Sequence, residues 1–154
     1  MLRLATKGRA TLAVLACVVA LTTSLTGCAG LLGRSPEERA VTVELPVSRS
    51  EAVRRTLQAF RDQGYELKET LTSGTEPETE PFRHGDADAV FRATVESAGR
   101  GARVTLRGTY RKRALAGLAH GPEHEVVRGG DDPLEKELWA RLDNLGVAIR
   151  RGGK

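Results

Sequence analysis

Two runs of alternation, residues 89–96 and 102–111, constrain what this chain can fold into more than any other feature. In the first, Ala89, Phe91, Ala93 and Val95 alternate with Arg92, Thr94 and Glu96. In the second, Val104, Leu106 and Tyr110 alternate with Arg103, Thr105, Arg107, Thr109 and Arg111. A period of two sends every apolar side chain to one face of a strand. Such a sheet is dry on one side and wet on the other, which is the habit of antiparallel sheets. Ser97-Ala98-Gly99-Arg100-Gly101 supplies turn residues between the runs, so they are expected to form a hairpin.

The remaining elements follow from period and punctuation. Val41, Val43 and Leu45 make a first strand that Pro46 ends. Ser48 and Glu51 form a capping box before a helix whose stripe is Val53, Leu57 and Phe60, joined by Ala52 and Thr56. Gly64 sits where a left-handed cap is needed, with Phe60 and Tyr65 placed for the accompanying contact. A second strand is expected at 65–72 from Tyr65, Leu67 and Leu71, with Glu69 awkwardly on the same side. Residues 73–86, acidic and interrupted by Pro77 and Pro81, read as a mobile loop. Residues 114–130 show no clean period; a helical turn or an edge strand near Val126-Val127 fits them. The last helix is plain: Asp132 as N-cap, Pro133 at N1, Glu135 at N3, then Leu134, Leu138, Leu142, Leu145 and Ile149 as a stripe beside Trp139 and Ala148. Arg150, Arg151 and Lys154 suit the negative end of its dipole. The order is β-α-β-β-β-α. With one stripe per helix and one dry sheet face, it predicts an α+β two-layer sandwich, an antiparallel sheet with both helices on one face, over 40–150 with a tail at 151–154.

The N-terminal segment has a different logic. Arg3, Lys7 and Arg9, with no acid, precede an apolar run over 11–25. That run of roughly 15 residues is too short to span a bilayer, for which about 20 are needed. It ends in Leu25-Thr26-Gly27-Cys28. This stretch resembles the lipobox of bacterial lipoproteins. The resemblance implies that residues 1–27 are a signal peptide cut between Gly27 and Cys28, and that the Cys28 thiol carries a diacylglycerol. Two or three acyl chains, palmitate among them, hold a protein on a membrane without a transmembrane helix. Residue 29 is Ala and not Asp, which by the same resemblance favours the outer membrane if the cell has two. Residues 28–39, with Gly30, Gly33, Ser35 and Pro36, read as a lipidated tether.

Processing changes the remaining arithmetic. Cys17 leaves with the signal and Cys28 becomes a thioether, so no thiol is left for a disulfide or a nucleophile. The formal charge falls from +4 to about +1, because 21 bases then face 20 acids. Nucleic acid is not an expected partner, since such binders carry a basic excess on the domain itself.

The element order together with the lipobox is similar to helix-grip envelope lipoproteins of the BamC type, over residues 41–149. In that type a long C-terminal helix lies across an antiparallel sheet. The long N-terminal region by which those proteins grip their partner is absent here, so that partner is not carried over. The lipobox, the short tether and the missing catalytic parts point to a non-enzymatic, lipid-anchored structural or interaction module of the cell envelope, partnered by the membrane and by another envelope protein. An alternative is a lipoprotein that binds a small apolar ligand or lipid between the last helix and the sheet. Ala89, Ala93, Ala102 and Gly108, small residues on the dry face, either let a helix approach closely or leave such a cavity.

Chemistry-bearing constellations are sparse. His120-Gly121-Pro122-Glu123-His124, with His84 and Asp86 elsewhere, is the best metal candidate. Gly121-Pro122 opposes the helix that would make two histidines converge, so solvated loop histidines are expected and no metal or cofactor is assigned. No nucleophile motif, catalytic triad signature or phosphate loop is present. Arg92, Arg103, Arg107 and Arg111 share the wet face, extended by Lys112 and Arg113. They are either a solvated face that discourages edge pairing, or a contact surface for anionic headgroups or an acidic partner. Residues 35–99 hold 8 bases and 13 acids and residues 100–154 hold 12 and 7, so the domain is bipolar if these halves separate in space. Replacing Cys28 with Ala is expected to leave an unprocessed precursor without lipid, read as an intact mass that still includes Met1.

Overall fold

A computed structural model describes residues 35–68, 76–114 and 120–152. Its centre is the hairpin of β3 (Ala87–Ala98) and β4 (Gly101–Arg113), paired without a break from Ala87↔Lys112 to Ala98↔Gly101. Gly99, at φ 58°, takes the left-handed turn position that a two-residue connection requires. β1 (Val41–Leu45) pairs with the first half of β4, Val41↔Leu106 to Leu45↔Ala102. β5 (His120–Glu125) pairs with the second half, and β2 (Phe82–His84) lies outside β3. All pairings are antiparallel, so the five described strands form one sheet.

Both long helices cover the dry face. α2 (Arg49–Asp62) buries Ala52, Thr56, Ala59 and Phe60. The Ser48 hydroxyl accepts from the Glu51 N–H at 3.3 Å. At the other end the Tyr65 N–H donates to the Phe60 carbonyl and the Gly64 N–H to that of Arg61, with Gly64 at φ 79°. This is the Schellman arrangement, and the Phe60 and Tyr65 rings meet edge to face at 6.0 Å. α3 (Pro133–Arg151) starts where the Asp132 carboxylate accepts from the Leu134 N–H at 3.0 Å. Its Leu138, Leu142, Leu145 and Ile149 are fully buried against Val43, Phe91, Val104 and Leu106 in one core. A Cβ at Gly146 would stand 2.8 Å from Val41 Cγ1, so glycine there lets α3 lie close on β1. The chain is the α+β two-layer sandwich that alternation and stripes imply.

Four expectations need correction. Within the tether expected at 28–39, Pro36–Arg39 is a one-turn helix, α1, while residues 28–34 lie outside the described ones. The Ser35 N–H donates to Glu38 Oε2 at 2.9 Å, the Glu38 carbonyl accepts from Arg128, and Arg39 pairs with Glu125. Long-range partners therefore hold a segment whose composition looks like linker.

Secondly, the strand expected at 65–72 is, in its described part, a single bridge, Leu67↔Thr79, flanked by bonds from Lys68 to Glu78 and from Glu80 to Glu66. The residues from 69 to 75 lie outside the described ones.

Thirdly, the described part of the acidic loop at 73–86 is bound to the sheet. Thr79 is fully buried and exchanges bonds with Phe91, and Phe82 packs 4.9 Å from both Tyr65 and Phe91.

Finally, the edge strand in 114–130 falls at His120–Glu125 and not at Val126-Val127, and it contains the metal candidate taken for loop. Pro122 is tolerated because the pairing slips between Arg111 and Arg113, so it sits at a bulge on an edge strand.

Leu142→Ala should cost about 2–5 kcal/mol, since it empties a fully buried site under the sheet. Chemical denaturation measures this; an unchanged midpoint would remove α3 from the core.

Candidate contact surface

The face of the sheet opposite the helices carries the arginine row, and its geometry follows from register. Arg103, Arg107 and Arg111 take every second outward position of β4, with Thr105 and Thr109 between them, and Arg92 stands directly across from Arg107 on β3. Two like charges opposite one another are unfavourable. The fold answers with carboxylates. Arg103 Nε donates to Glu44 Oε1 at 2.6 Å from the facing position of β1. Arg111 Nη2 donates to Glu123 Oε2 at 2.5 Å from the facing position of β5. Arg92 Nε donates to Glu78 Oε2 at 2.6 Å, and Lys68 bonds the other oxygen of the same carboxylate. Arg113 reaches Asp88 through both Nε and Nη2, at 2.8 and 2.5 Å.

The basic strip is thus a ladder of ion pairs. Because Glu44–Arg103 and Asp88–Arg113 join the acidic part of the chain to the basic part, the two halves do not separate into poles.

The electrostatics agree with the contacts. Burial works to raise the Glu78 carboxyl, but the bonds from Lys68 and Arg92 outweigh it and hold the group below the usual 4.5. Arg111 lowers Glu123, and Glu44 raises Arg103. Most of these pairs are substantially exposed, so each is worth little on its own.

Arg107 is the exception. It falls between Leu106, the last residue of β4 paired with β1, and Thr109, the first paired with β5. No edge-strand residue is paired opposite it, and its other neighbour is Arg92. Among the described residues its guanidinium has no carboxylate partner. Around it lie Thr94, Thr105 and Thr109. Two depressions open here, of about 730 and about 280 Å³, and Arg107 lines both. Of the four arginines marked by sequence, the structure neutralises three and leaves this one.

The histidines do not assemble a site. His120 and His124 lie on an extended strand, where a four-residue separation spans about 13 Å. His124 stacks on Tyr110 at 5.3 Å, and His84 Nε2 meets Glu137 at 2.8 Å. No group of three or more metal-capable side chains occurs among the described residues.

The sequence reading missed the surroundings of Tyr110. Burial first, then Glu135 and Asp132, raise its phenol. Glu135, nearly buried, accepts from the Val127 N–H at 3.1 Å, and Gly130 leaves room for its carboxylate. The capping signal Asp132-Pro133-Leu134-Glu135 placed Glu135 in the first turn, but nothing local announced that it would close over the strand exit.

No family model matches the chain, and no curated protein matches it.

The pH dependence of the ladder has a definite sign. A carboxyl lowered in the folded state contributes stability that is complete above its unfolded value near 4.5 and disappears as pH falls through the lower folded value. The stability gap between the native chain and Glu78→Gln should be widest above pH 4.5 and shrink in acid. Urea titrations at stepped pH measure it, and a gap that widens on acidification contradicts the assignment.

Proposed function

We propose that this protein is a lipid-anchored, non-enzymatic module of the cell envelope, exported on residues 1–27 and held to a membrane through acyl chains on Cys28. The observation that carries the reading is Leu25-Thr26-Gly27-Cys28 at the end of a short apolar run behind Arg3, Lys7 and Arg9. Among the described residues no helix is long and apolar enough to cross a membrane, so on this reading attachment falls to the lipid. The compact unit starts at Ser35, seven residues along the chain from Cys28. Fully extended they reach at most about 25 Å, which keeps the domain beside the bilayer.

Its work is then contact, with the membrane and with a further envelope protein. The open sheet face supports this: the two long helices pack on the opposite face, and its cations are ordered by pairing with Arg107 left over. The alternation of charge on that face suits a partner matched in pattern more than one matched in net charge.

Intact-mass analysis of the chain isolated from membranes is the test. The expected product begins at Cys28 and carries two or three acyl chains. An intact Met1, or an unmodified thiol at Cys28, would overturn the proposal.

A further inference from the structure

The larger depression, about 730 Å³, lies where the described chain begins. Its lining combines Pro36 and Glu37 of α1, Trp139, Asp143 and Arg150 of α3, and residues of β1, β3 and β4. Four arginines and four carboxylates line it. One pair is closed, Arg103 with Glu44. Glu96 faces Arg103 across the β3–β4 ladder and acts on the same guanidinium. Arg107, Arg128 and Arg150 remain as guanidiniums, and Glu37 and Asp143 as carboxylates, with no hydrogen-bonded or ion-paired side-chain partner among the described residues.

A ligand of a single sign would meet repulsion from half of this lining. A ligand that carries both signs a few ångströms apart would be matched by both halves. Trp139, half-buried at the same groove, adds an amphipathic ring of the kind favoured at the headgroup level of a bilayer. If Cys28 is acylated, the reading on which placing the groove at the membrane rests, the groove is within about 25 Å of chain contour from the membrane surface.

We infer that the groove takes the headgroup of a zwitterionic phospholipid with a primary ammonium, of the phosphatidylethanolamine class. The phosphate lies on the guanidiniums, above all Arg107, and the ammonium on the carboxylates. Guanidinium and phosphate make paired charge-assisted bonds. A primary ammonium donates three hydrogen bonds to carboxylates, which a quaternary one does not. The groove therefore favours ethanolamine over choline and zwitterion over anion, and it turns the open sheet face toward the bilayer.

Trp139 is the single tryptophan of the chain, so its emission reads the groove directly. The native lipoprotein is placed in phosphatidylcholine nanodiscs, doped in parallel with phosphatidylethanolamine or phosphatidylglycerol. The expected result is a saturable blue shift with phosphatidylethanolamine and a smaller one with phosphatidylglycerol. The phosphatidylethanolamine fraction that gives half of the maximal shift should rise by about tenfold in Arg107→Gln, which loses a charge-assisted phosphate contact. Arg150→Gln should raise it too. Lys136→Gln, on an exposed α3 residue outside the groove, should leave it unchanged.

Equal emission in all three discs, a larger shift with phosphatidylglycerol, a shift reproduced by inorganic phosphate alone, or full retention in a folded Arg107→Gln would each overturn the inference. The intact mass of the same sample reads acylation separately. Acyl chains with no shift refute the groove assignment alone; a bare Cys28 whose Trp139 still shifts on added vesicles refutes the anchor alone.

Discussion

The structure depends on one strand being paired along both of its edges. β4 has β3 on one side for its full length, while β1 and β5 share the other, the first against 102–106 and the second against 109–113. One alternation thereby decides inside and outside for three neighbours at once. A slip of one residue would turn Val104, Leu106 and Tyr110 outward and Arg103, Arg107 and Arg111 into the core. Glycine is also required at two points on this strand, Gly108 on the dry face and Gly101 at its start. A Cβ at Gly108 would lie 3.0 Å from the Phe91 ring and from Val126, and one at Gly101 would lie 2.2 Å from the Leu45 carbonyl oxygen. Helix packing, core composition and the two-layer form follow from that strand.

The same division of an edge between two short strands creates the candidate surface. Elsewhere along β4 each outward arginine finds an acid supplied by the strand beside it. At the seam the chain of α1 enters and the chain after β5 leaves, joined by the Arg128 N–H to the Glu38 carbonyl at 2.7 Å. Arg107 faces that seam, so its charge is left unneutralised by the logic that neutralises its neighbours. A topological gap, more than an excess of basic residues, makes the site.

Periodic and punctuated segments were legible without coordinates. The hairpin, the Ser48 and Asp132 caps, the Gly64 turn and the faces of both long helices all rest on residues within one or two turns of each other. What stayed hidden depends on distant partners. The segment at 76–86 looks soluble and broken, yet Glu78 is clasped by Lys68 and Arg92, and Phe82 completes an aromatic group with Tyr65 and Phe91. The strand at His120–Glu125 carries Pro122 at a bulge, and a bulge is invisible in one dimension. For the surface, the positions of Arg92, Arg103, Arg107 and Arg111 could be read, but their neutralisation could not. Glu44 is 59 residues from Arg103, and nothing in composition predicts which acid a register will deliver.

Native-state hydrogen exchange measures the central dependence. If β4 organises the domain, its amides from Arg103 to Tyr110 exchange most slowly of all, only through global unfolding, while those of β2 and α1 open locally at much lower cost. Exchange of the β4 amides as fast as those of β2, or through a local opening that leaves α3 protected, would contradict the account.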